Sequence, residues 1–368
     1  MPDRRQRPAR KGDNERVKTQ RFVLDPADLE NPAAERALES AARILRGGGL
    51  VALPTETVYG LGANALDGKA VERIFSAKQR PAWDPVIVHL ADEAMLEGLV
   101  EEVPVTARRL MRAFWPGPLT LLLPRTAAVP DAVTAGRALV GVRMPAHPVA
   151  RELIRRAGVP VAAPSANLFG HISPTTAAHV LQDLDGRIDA VLDAGPTEHG
   201  VESTVLDPGT TPMTIYRPGA VTAAQIRQMA GAVEVFRCAE PLEDEPKEAL
   251  PSPGVGLRHY APRARLALVE GPLETLGGRL AEAALGLAGE RLGVMLPEET
   301  AAPEGAASVY AWGRWSEPEE LARRLYAGLR ELDRRECTAI LCPLPPREGV
   351  GAAIRDRLLK AGTKGPGD

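Results

Sequence analysis

Residues 76–90 read SAKQRPAWDPVIVHL, and they combine the end of a helix, a cationic turn and a buried strand. The apolar spacing over residues 69–77 predicts the helix, and the apolar run over residues 86–90 predicts the strand. Lys78 and Arg80 stand two residues apart before that strand, so an extended segment would point both side chains the same way. Two converging cations suit a polyphosphate, although a solvated charge pair would give the same spacing.

The same alternation of helices and strands continues on both sides of this stretch, through residues 21–235. One helix begins with Asn31 as N-cap and Pro32 in the first turn, and the three glycines of residues 47–49 end it. Such alternation predicts an α/β fold, a twisted mixed sheet with flanking helices. Further helices are predicted at residues 105–113, 149–157, 175–184 and 223–230, and strands at residues 50–53, 119–123, 139–143, 159–163, 190–193, 203–207 and 214–217.

The pattern changes at residues 236–263, which are first acidic, then rich in Pro and Gly, then basic, and which we interpret as a linker. Residues 264–368 follow as a second, smaller α/β unit. Residues 1–20 are interpreted as a disordered basic tail, with weak RNA contact as the alternative. In the second unit, strands are predicted at residues 266–269, 293–296 and 338–342, and a long amphipathic helix at residues 319–334.

Composition narrows the classes of function. The chain has 368 residues, a formal net charge of −3 and 4% aromatic residues, which indicates neither a global basic field nor a base-stacking platform. Its three cysteines form no CxxC pair, which favours a reducing, cytoplasmic setting. No window approaches the roughly 20 apolar residues of a membrane span, so no membrane contact is expected. The sequence also has no Walker A loop, no strand-coupled GxGxxG motif and no HExxH motif.

Small polar and cationic side chains stand at the ends of several predicted strands. Thr57 follows one strand in a Gly-rich turn, and a helix beginning at Ser173 and Pro174 would offer free backbone N–H groups to an anion. Each feature is common in ordinary turns and caps, but ligands usually bind at strand ends of open α/β sheets. Comparable positions are predicted for His89, Arg143, Ser165, Asn167, Ser203 and Arg217.

Taken in order, these segments form a set of motifs that resembles the YrdC-like family of threonylcarbamoyl-AMP synthases. The resemblance covers residues 24–231. The segments LRHYAP and GVGAAIRDRLLKA resemble the long form of this family, which carries an extra C-terminal domain. The motifs of the first unit are PTETVYGLGANA, KQRP, DPVIVH, WPGPLT, VRMP, APSAN, ISPT, GVESTVLD and YRPG.

The resemblance implies a YrdC-like concave, twisted mixed sheet with the site in its hollow, and a smaller Rossmann-like C-terminal α/β domain. The linker would lie across the mouth of the site. The implied reaction joins L-threonine, bicarbonate or CO₂, and ATP into threonylcarbamoyl-AMP with release of pyrophosphate. Downstream threonylcarbamoyl-transferase proteins would then pass the group to tRNA, which this enzyme would serve only indirectly.

By motif, the resemblance assigns Lys78 and Arg80 to the ATP phosphates and to catalysis, and Arg143 to the threonine carboxylate. Asp84 is a departure, because the family often has Asn there. A negative charge would repel phosphate, so Asp84 is expected to meet sugar, base or a metal within the ATP site. No protein metal cage is expected, and Mg²⁺ should arrive with ATP. The other assignments are Ser165, Asn167, Ser173, Arg217 and Tyr260 for ATP, and Thr57, His89, Ala163 and Ser203 for L-threonine.

Two alternatives stay open at this point. The same hollow could serve an RNA-binding module without chemistry, which the basic tail favours and the net negative charge disfavours. The chain could also be a carbamoyltransferase that uses another acceptor in place of threonine. The identity of the substrates separates these possibilities.

Overall fold

The computed structural model describes residues 18–236, 250, 252 and 259–362. Residues 1–17 of the predicted tail and most of the predicted linker lie outside these residues, and so does Cys238. The tail was expected to be disordered through residue 20, but Thr19 donates to the Ile188 carbonyl and Gln20 begins the first strand. The other cysteines, Cys337 and Cys342, are free thiols in the core of the second domain. Within the described ranges, no helix combines the length and apolar character needed to cross a membrane.

The first domain is built on an eleven-stranded mixed sheet. In chain order its strands are β1 (Gln20–Val23), β2 (Val51–Leu53), β3 (Gly60–Asn64), β4 (Ile87–His89), β5 (Leu119–Pro124), β6 (Leu139–Arg143), β7 (Val161–Ala162), β8 (Ala190–Asp193), β9 (Thr204–Asp207), β10 (Met213–Arg217) and β11 (Val233–Val235). Their spatial order is β1-β8-β2-β3-β7-β4-β6-β5-β9-β10-β11. Some neighbouring strands are parallel and others antiparallel. The first residues of some strands and the last residues of others therefore lie on the same side of the sheet, although they are distant in sequence.

Within residues 18–236, the α-helices are α1 (Pro32–Arg46), α2 (Gly68–Lys78), α3 (Val105–Phe114), α4 (Asp131–Thr134), α5 (Pro148–Ala157), α6 (Ala177–Leu184) and α7 (Ala223–Ala230), and a short 3-10 helix lies at Glu93–Leu96. As predicted, Asn31 caps α1, and its side chain accepts hydrogen bonds from two first-turn amides. Side chains along β2 alternate between two cores, because successive residues of a strand face opposite sides of the sheet. Val51 and Leu53 pack with α1 and α5, whereas Ala52 packs in the other core.

The second domain has a four-stranded, fully parallel sheet of β12 (Arg265–Val269), β13 (Leu292–Pro297), β14 (Ser308–Gly313) and β15 (Ala339–Pro343), ordered β12-β15-β13-β14. Its helices are α8 (Leu273–Leu285), α9 (Pro318–Arg334) and α10 (Gly351–Gly362). The predicted α/β class and two-sheet arrangement are therefore confirmed. The two domains share apolar contacts, since Val58, Ile172 and Val201 pack in the core of the second domain.

The Gly-rich segment after β2 was expected to be a turn, and that expectation is wrong. Residues 60–64 form β3, which pairs with β2 and with β7. Its glycines are required by close packing: a Cβ on Gly62 would lie 2.9 Å from both Leu53 Cδ2 and Val161 Cγ1.

Two further local expectations differ from the structure. Residues 78–80 are not extended: Lys78 is the last residue of α2, and Gln79 adopts a left-handed conformation with φ of 54°. The helix predicted at residues 175–184, with its start at Ser173 and Pro174, begins instead at Ala177 with Thr176 as its N-cap. The Thr176 hydroxyl accepts a hydrogen bond from the backbone amide of His179, and this N-cap stabilises the helix start at Ala177.

Candidate functional site

A cavity opens where the ends of β3, β4, β6, β7, β9 and β10 meet the described end of the linker. Most of the predicted site residues line it: Thr57, Arg80, His89, Arg143, Ala163, Ser165, Ser203, Arg217 and Tyr260. The remaining ones, Lys78, Asp84, Asn167 and Ser173, are buried behind its wall. Sequence reasoning did not single out Thr55, Val58, Gly60, Val86, Ile87, Pro164, Glu202 or His259, which also line the cavity.

Arg143 ends β6 inside the cavity and is held by a carboxylate that sequence reasoning missed. Its Nη2 lies 2.6 Å from Glu56 Oε1, and its Nη1 donates to Thr57 Oγ1 at 3.0 Å. Burial raises the pKa of Glu56, but the Arg143 charge and hydrogen bond outweigh it, so the pKa falls below its usual value. The chain bends after β2, and Thr55 Oγ1 bonds Thr57 Oγ1 at 2.8 Å, which holds the Thr57 hydroxyl beside Arg143.

His89 is a neutral, buried imidazole beside this ion pair. It ends β4, where the strand register places it next to Arg143. Burial, reinforced by the Arg143 charge, lowers the pKa of His89 to about 3. Its Nδ1 has no hydrogen-bond partner among the described residues, so it can bond to a ligand in the cavity.

Arg217 and Ser203 form another part of the cavity lining. Arg217 ends β10, and its guanidinium donates to the Ser203 carbonyl at 3.0 and 3.1 Å and to Ser203 Oγ at 3.1 Å. The Ser203 hydroxyl also bonds Thr120 Oγ1 at 2.8 Å. These bonds fix the hydroxyl and the guanidinium relative to each other before a ligand binds.

Asp84 has a partner that the sequence did not indicate. Its Oδ2 lies 2.9 Å from Arg80 Nη2, and the Asp84 side chain is fully buried. Arg80 also donates to the backbone carbonyls of Asp84 and Pro85, at 3.1 and 2.7 Å. This carboxylate therefore orients Arg80, and the expectation that Asp84 meets sugar, base or a metal stays a prediction.

Lys78 contacts the loop that carries Ser165 and Asn167. Its Nζ donates to the backbone carbonyls of Ser165 and Asn167, each at 2.5 Å. Burial first, and the Arg80 charge second, hold the pKa of Lys78 well below its usual range. The Asn167 amide nitrogen donates to the carbonyls of Leu168 and His171, at 2.8 and 2.9 Å, which shapes the same loop.

Ser173 bonds a glutamate rather than opening a helix. Its hydroxyl donates to Glu202 Oε1 at 2.6 Å. Glu202 immediately precedes Ser203 and lines the cavity, and it is also bonded by Tyr326 and Arg357 of the second domain. The glutamate stands inside the GVESTVLD motif, which was the signal that could have revealed it.

The end of the linker closes one side of the cavity. The His259 ring lies 4.8 Å from the Phe169 ring, and its Nε2 is 3.9 Å from Asp84 Oδ2. Burial, followed by the charge of Arg80, lowers the pKa of His259 to about 3. Tyr260 is buried and stacks on Tyr326, with ring centroids 5.9 Å apart.

The arrangement can bind anions at three arginines and hydroxyl-bearing groups between them. Among the described residues it lacks a paired catalytic acid and base of the hydrolase type, because its carboxylates are paired with arginines and the lowered pKa values of both lining histidines make them weak bases. No group of three or more His, Cys, Asp or Glu side chains in the described ranges could hold a metal ion.

Comparisons with known proteins agree on one family. A family model named for Sua5, YciO and YrdC and described as telomere recombination matches residues 43–219. A second, described as the threonylcarbamoyl-AMP synthase C-terminal domain, matches residues 221–363. The chain is 45% identical to the threonylcarbamoyl-AMP synthase of Bacillus subtilis, over 94% of this chain and 98% of the relative.

Pyrococcus abyssi provides a second relative and a solved structure with the same two-domain match. Its threonylcarbamoyl-AMP synthase is 42% identical over 89% of this chain and 94% of its own length. The crystal structure of P. abyssi Sua5 complexed with L-threonine superposes with a TM-score of 0.86 at 40% identity, covering 94% of this chain and 98% of that one.

Proposed function

This chain belongs to the threonylcarbamoyl-AMP synthase family, in the form with the additional C-terminal domain, and from that premise we propose that it is an L-threonylcarbamoyladenylate synthase. The proposed reaction joins L-threonine, bicarbonate or CO₂, and ATP, and releases pyrophosphate. The observation that carries the proposal is a cavity in which Arg80, Arg143 and Arg217 converge from separate segments of the first domain.

The proposed chemistry needs positioning and charge neutralisation more than a strong base. The threonine amine adds to CO₂ and loses a proton, which gives a carbamate with a nucleophilic oxygen. That oxygen attacks the α-phosphorus in line, the new P–O bond forms, and the bond to the pyrophosphate oxygen breaks. Fixed cations and hydrogen-bond donors stabilise the charge that develops on the phosphoryl oxygens.

The threonine subsite would lie at Thr57, His89, Arg143, Ala163 and Ser203. Arg143 would fork onto the substrate carboxylate, and Glu56 keeps its guanidinium at that position before the substrate arrives. The open Nδ1 of His89 would receive or donate one hydrogen bond according to its tautomer.

The nucleotide subsite would adjoin the threonine subsite, at Arg80, Ser165, Arg217 and Tyr260. Arg80 would face the phosphates, and Asp84 would orient it from behind. Lys78 would act on the same subsite by holding the carbonyls of the loop that contains Ser165. The cavity lining does not fit a metal cage. Among the described lining residues Glu202 alone carries a carboxylate, and it is paired with Arg357, so Mg²⁺ would enter with ATP.

Pyrophosphate release by the purified chain tests the proposal. We expect release only when ATP, threonine and bicarbonate are all present, and loss of release in the Arg80→Ala variant. Release that is independent of threonine or bicarbonate would contradict the proposed reaction. Other amino acids in place of threonine test the carbamoyltransferase alternative, in which a different acceptor supports turnover.

The product would be consumed by a transferase that acts on tRNA. If the chain instead binds RNA without chemistry, tRNA binding should be steeply salt-dependent and should survive the Arg80→Ala substitution without ATP turnover. The proposed synthase predicts no steeply salt-dependent binding of tRNA. It also predicts ATP turnover by the wild type, which Arg80→Ala removes.

A further inference from the structure

Arg357 lies between the domains and contacts three segments around the cavity. It belongs to α10, and its side chain is 1% exposed. Its Nε donates to Glu202 Oε2 at 2.8 Å, and its Nη2 donates to the Pro218 carbonyl at 2.9 Å. Its guanidinium carbon also lies 5.3 Å from the centre of the Tyr260 ring, over the linker.

Glu202 receives most of its hydrogen bonds from the second domain. Tyr326 Oη donates to its carboxylate at 2.9 Å, in addition to the bond from Arg357, while Ser173 of the first domain supplies the third. Burial raises the pKa of Glu202, but the Arg357 and Arg217 charges outweigh it, so the pKa falls to about 2. Glu202 is therefore a buried anion of the cavity wall whose cationic hydrogen-bond partner comes from α10.

Tyr260 is fixed by the same arginine. Its ring contacts both Arg357 and Tyr326, and its backbone takes a φ of 64°, a conformation that is uncommon for non-glycine residues and needs support from its surroundings. Because Tyr260 lines the cavity, the position of Arg357 determines where that wall stands.

The second domain itself supplies no described residue to the cavity lining, which ends at Tyr260. We propose that Arg357 is a positioning residue: it fixes Glu202, the turn at Pro218 next to Arg217, and Tyr260, so that the nucleotide side of the cavity is complete only when α10 is docked. The identity of the nucleotide as ATP rests on the proposed function, whereas the positioning role rests on these contacts.

The test is ATP affinity of the full chain, measured by calorimetry, together with urea unfolding. Arg357→Met should weaken ATP binding by about tenfold or more, as expected for the loss of buried charge-assisted bonds, and leave threonine binding within about threefold. Arg357→Lys keeps the charge near Glu202 but cannot bond Glu202 and Pro218 in one plane, so ATP affinity should remain reduced. Combined with Glu202→Gln, Arg357→Met should show non-additive losses of unfolding free energy.

Arg355 provides the matched control. It is buried on the same helix, but it pairs with Glu270 and donates to the Pro345 carbonyl, both inside the second domain. Arg355→Met should lower the stability of that domain and leave ATP affinity near that of the wild type. Equal losses of ATP affinity in the two variants, or unchanged affinity in Arg357→Met, would overturn the positioning role. A wild-type chain that binds ATP but releases no pyrophosphate would contradict the proposed reaction and leave the positioning role of Arg357 intact.

Discussion

At the scale of single residues, Arg143 and Glu56 form a buried ion pair inside the cavity. Replacing Arg143 with Ala should raise the KM for threonine by about 10- to 100-fold, the effect of losing a charge-assisted hydrogen bond to a carboxylate, and change the KM for ATP much less. Steady-state pyrophosphate release, with each substrate varied in turn, measures both constants.

The same substitution leaves the buried Glu56 carboxylate without its ion-pair partner, which lowers the unfolding free energy independently of any effect on substrate binding. The double variant Arg143→Ala with Glu56→Gln removes that charge. It should recover part of the lost unfolding free energy while the threonine KM stays high. Recovery of the KM together with the stability would mean that Arg143 acts on the fold and does not contact the substrate.

His89 gives a prediction for pH dependence. Its pKa is about 3 in the folded chain, through burial and the Arg143 charge, against about 6.5 for an unfolded histidine. The unfolded chain therefore takes up the proton more readily, and the folded state loses stability as the pH falls below about 6.5. The loss that His89 contributes between pH 7 and pH 5 is on the order of 2 kcal/mol.

Urea unfolding at both pH values, for the wild type and for His89→Gln, measures this contribution. The variant should lose on the order of 2 kcal/mol less than the wild type over the interval, because glutamine does not titrate. His259 keeps its own shift in both proteins, so part of the pH dependence should remain. Identical losses in the two proteins would show that His89 is not the group responsible.

At the scale of elements, β3 depends on glycine. Gly62→Ala would drive a methyl group to 2.9 Å from Leu53 and Val161, and we expect a loss of about 1–3 kcal/mol of unfolding free energy from overpacking. Gly278→Ala is the matched control, because that glycine lies inside α8 with nothing within 4 Å of an added methyl group, and it should gain up to about 1 kcal/mol. Thermal or urea unfolding checks both, and a neutral Gly62→Ala would contradict the packing argument.

Element boundaries were predictable where periodicity and caps agreed. The helix after Asn31 and the strand at residues 139–143 match the structure, since a cap or an apolar run defined each. β3 was missed because glycine indicates a turn by local propensity, while its real cause is close packing against β2 and β7. Arg80 lines the cavity and Lys78 is buried behind its wall, and their backbone geometry depends on a left-handed Gln79 that no spacing rule indicates.

At the scale of the whole molecule, the contacts that complete the site were not predictable from spacing. Glu202 and Arg357 are 155 residues apart in sequence, and neither residue type is unusual where it stands. The motifs that contain them could be associated with the family, but their pairing requires the docking of two domains. The strand-end residues, by contrast, followed from sheet topology, because strand ends that share an edge bring their side chains together.

Removal of the chain from Cys238 onward tests this docking for the molecule as a whole. All eleven strands of the first sheet lie within residues 20–235. The shortened chain should therefore show the circular dichroism of a folded α/β domain and a cooperative unfolding transition. Its activity should fall by at least about tenfold, because Glu202 loses Arg357 and Tyr326 and the cavity loses Tyr260. Adding Glu202→Gln to the shortened chain should then change activity less than it does in the full chain, since the bonds from the second domain are already gone. Full activity in a folded, shortened chain would show that the first domain builds the working cavity unaided.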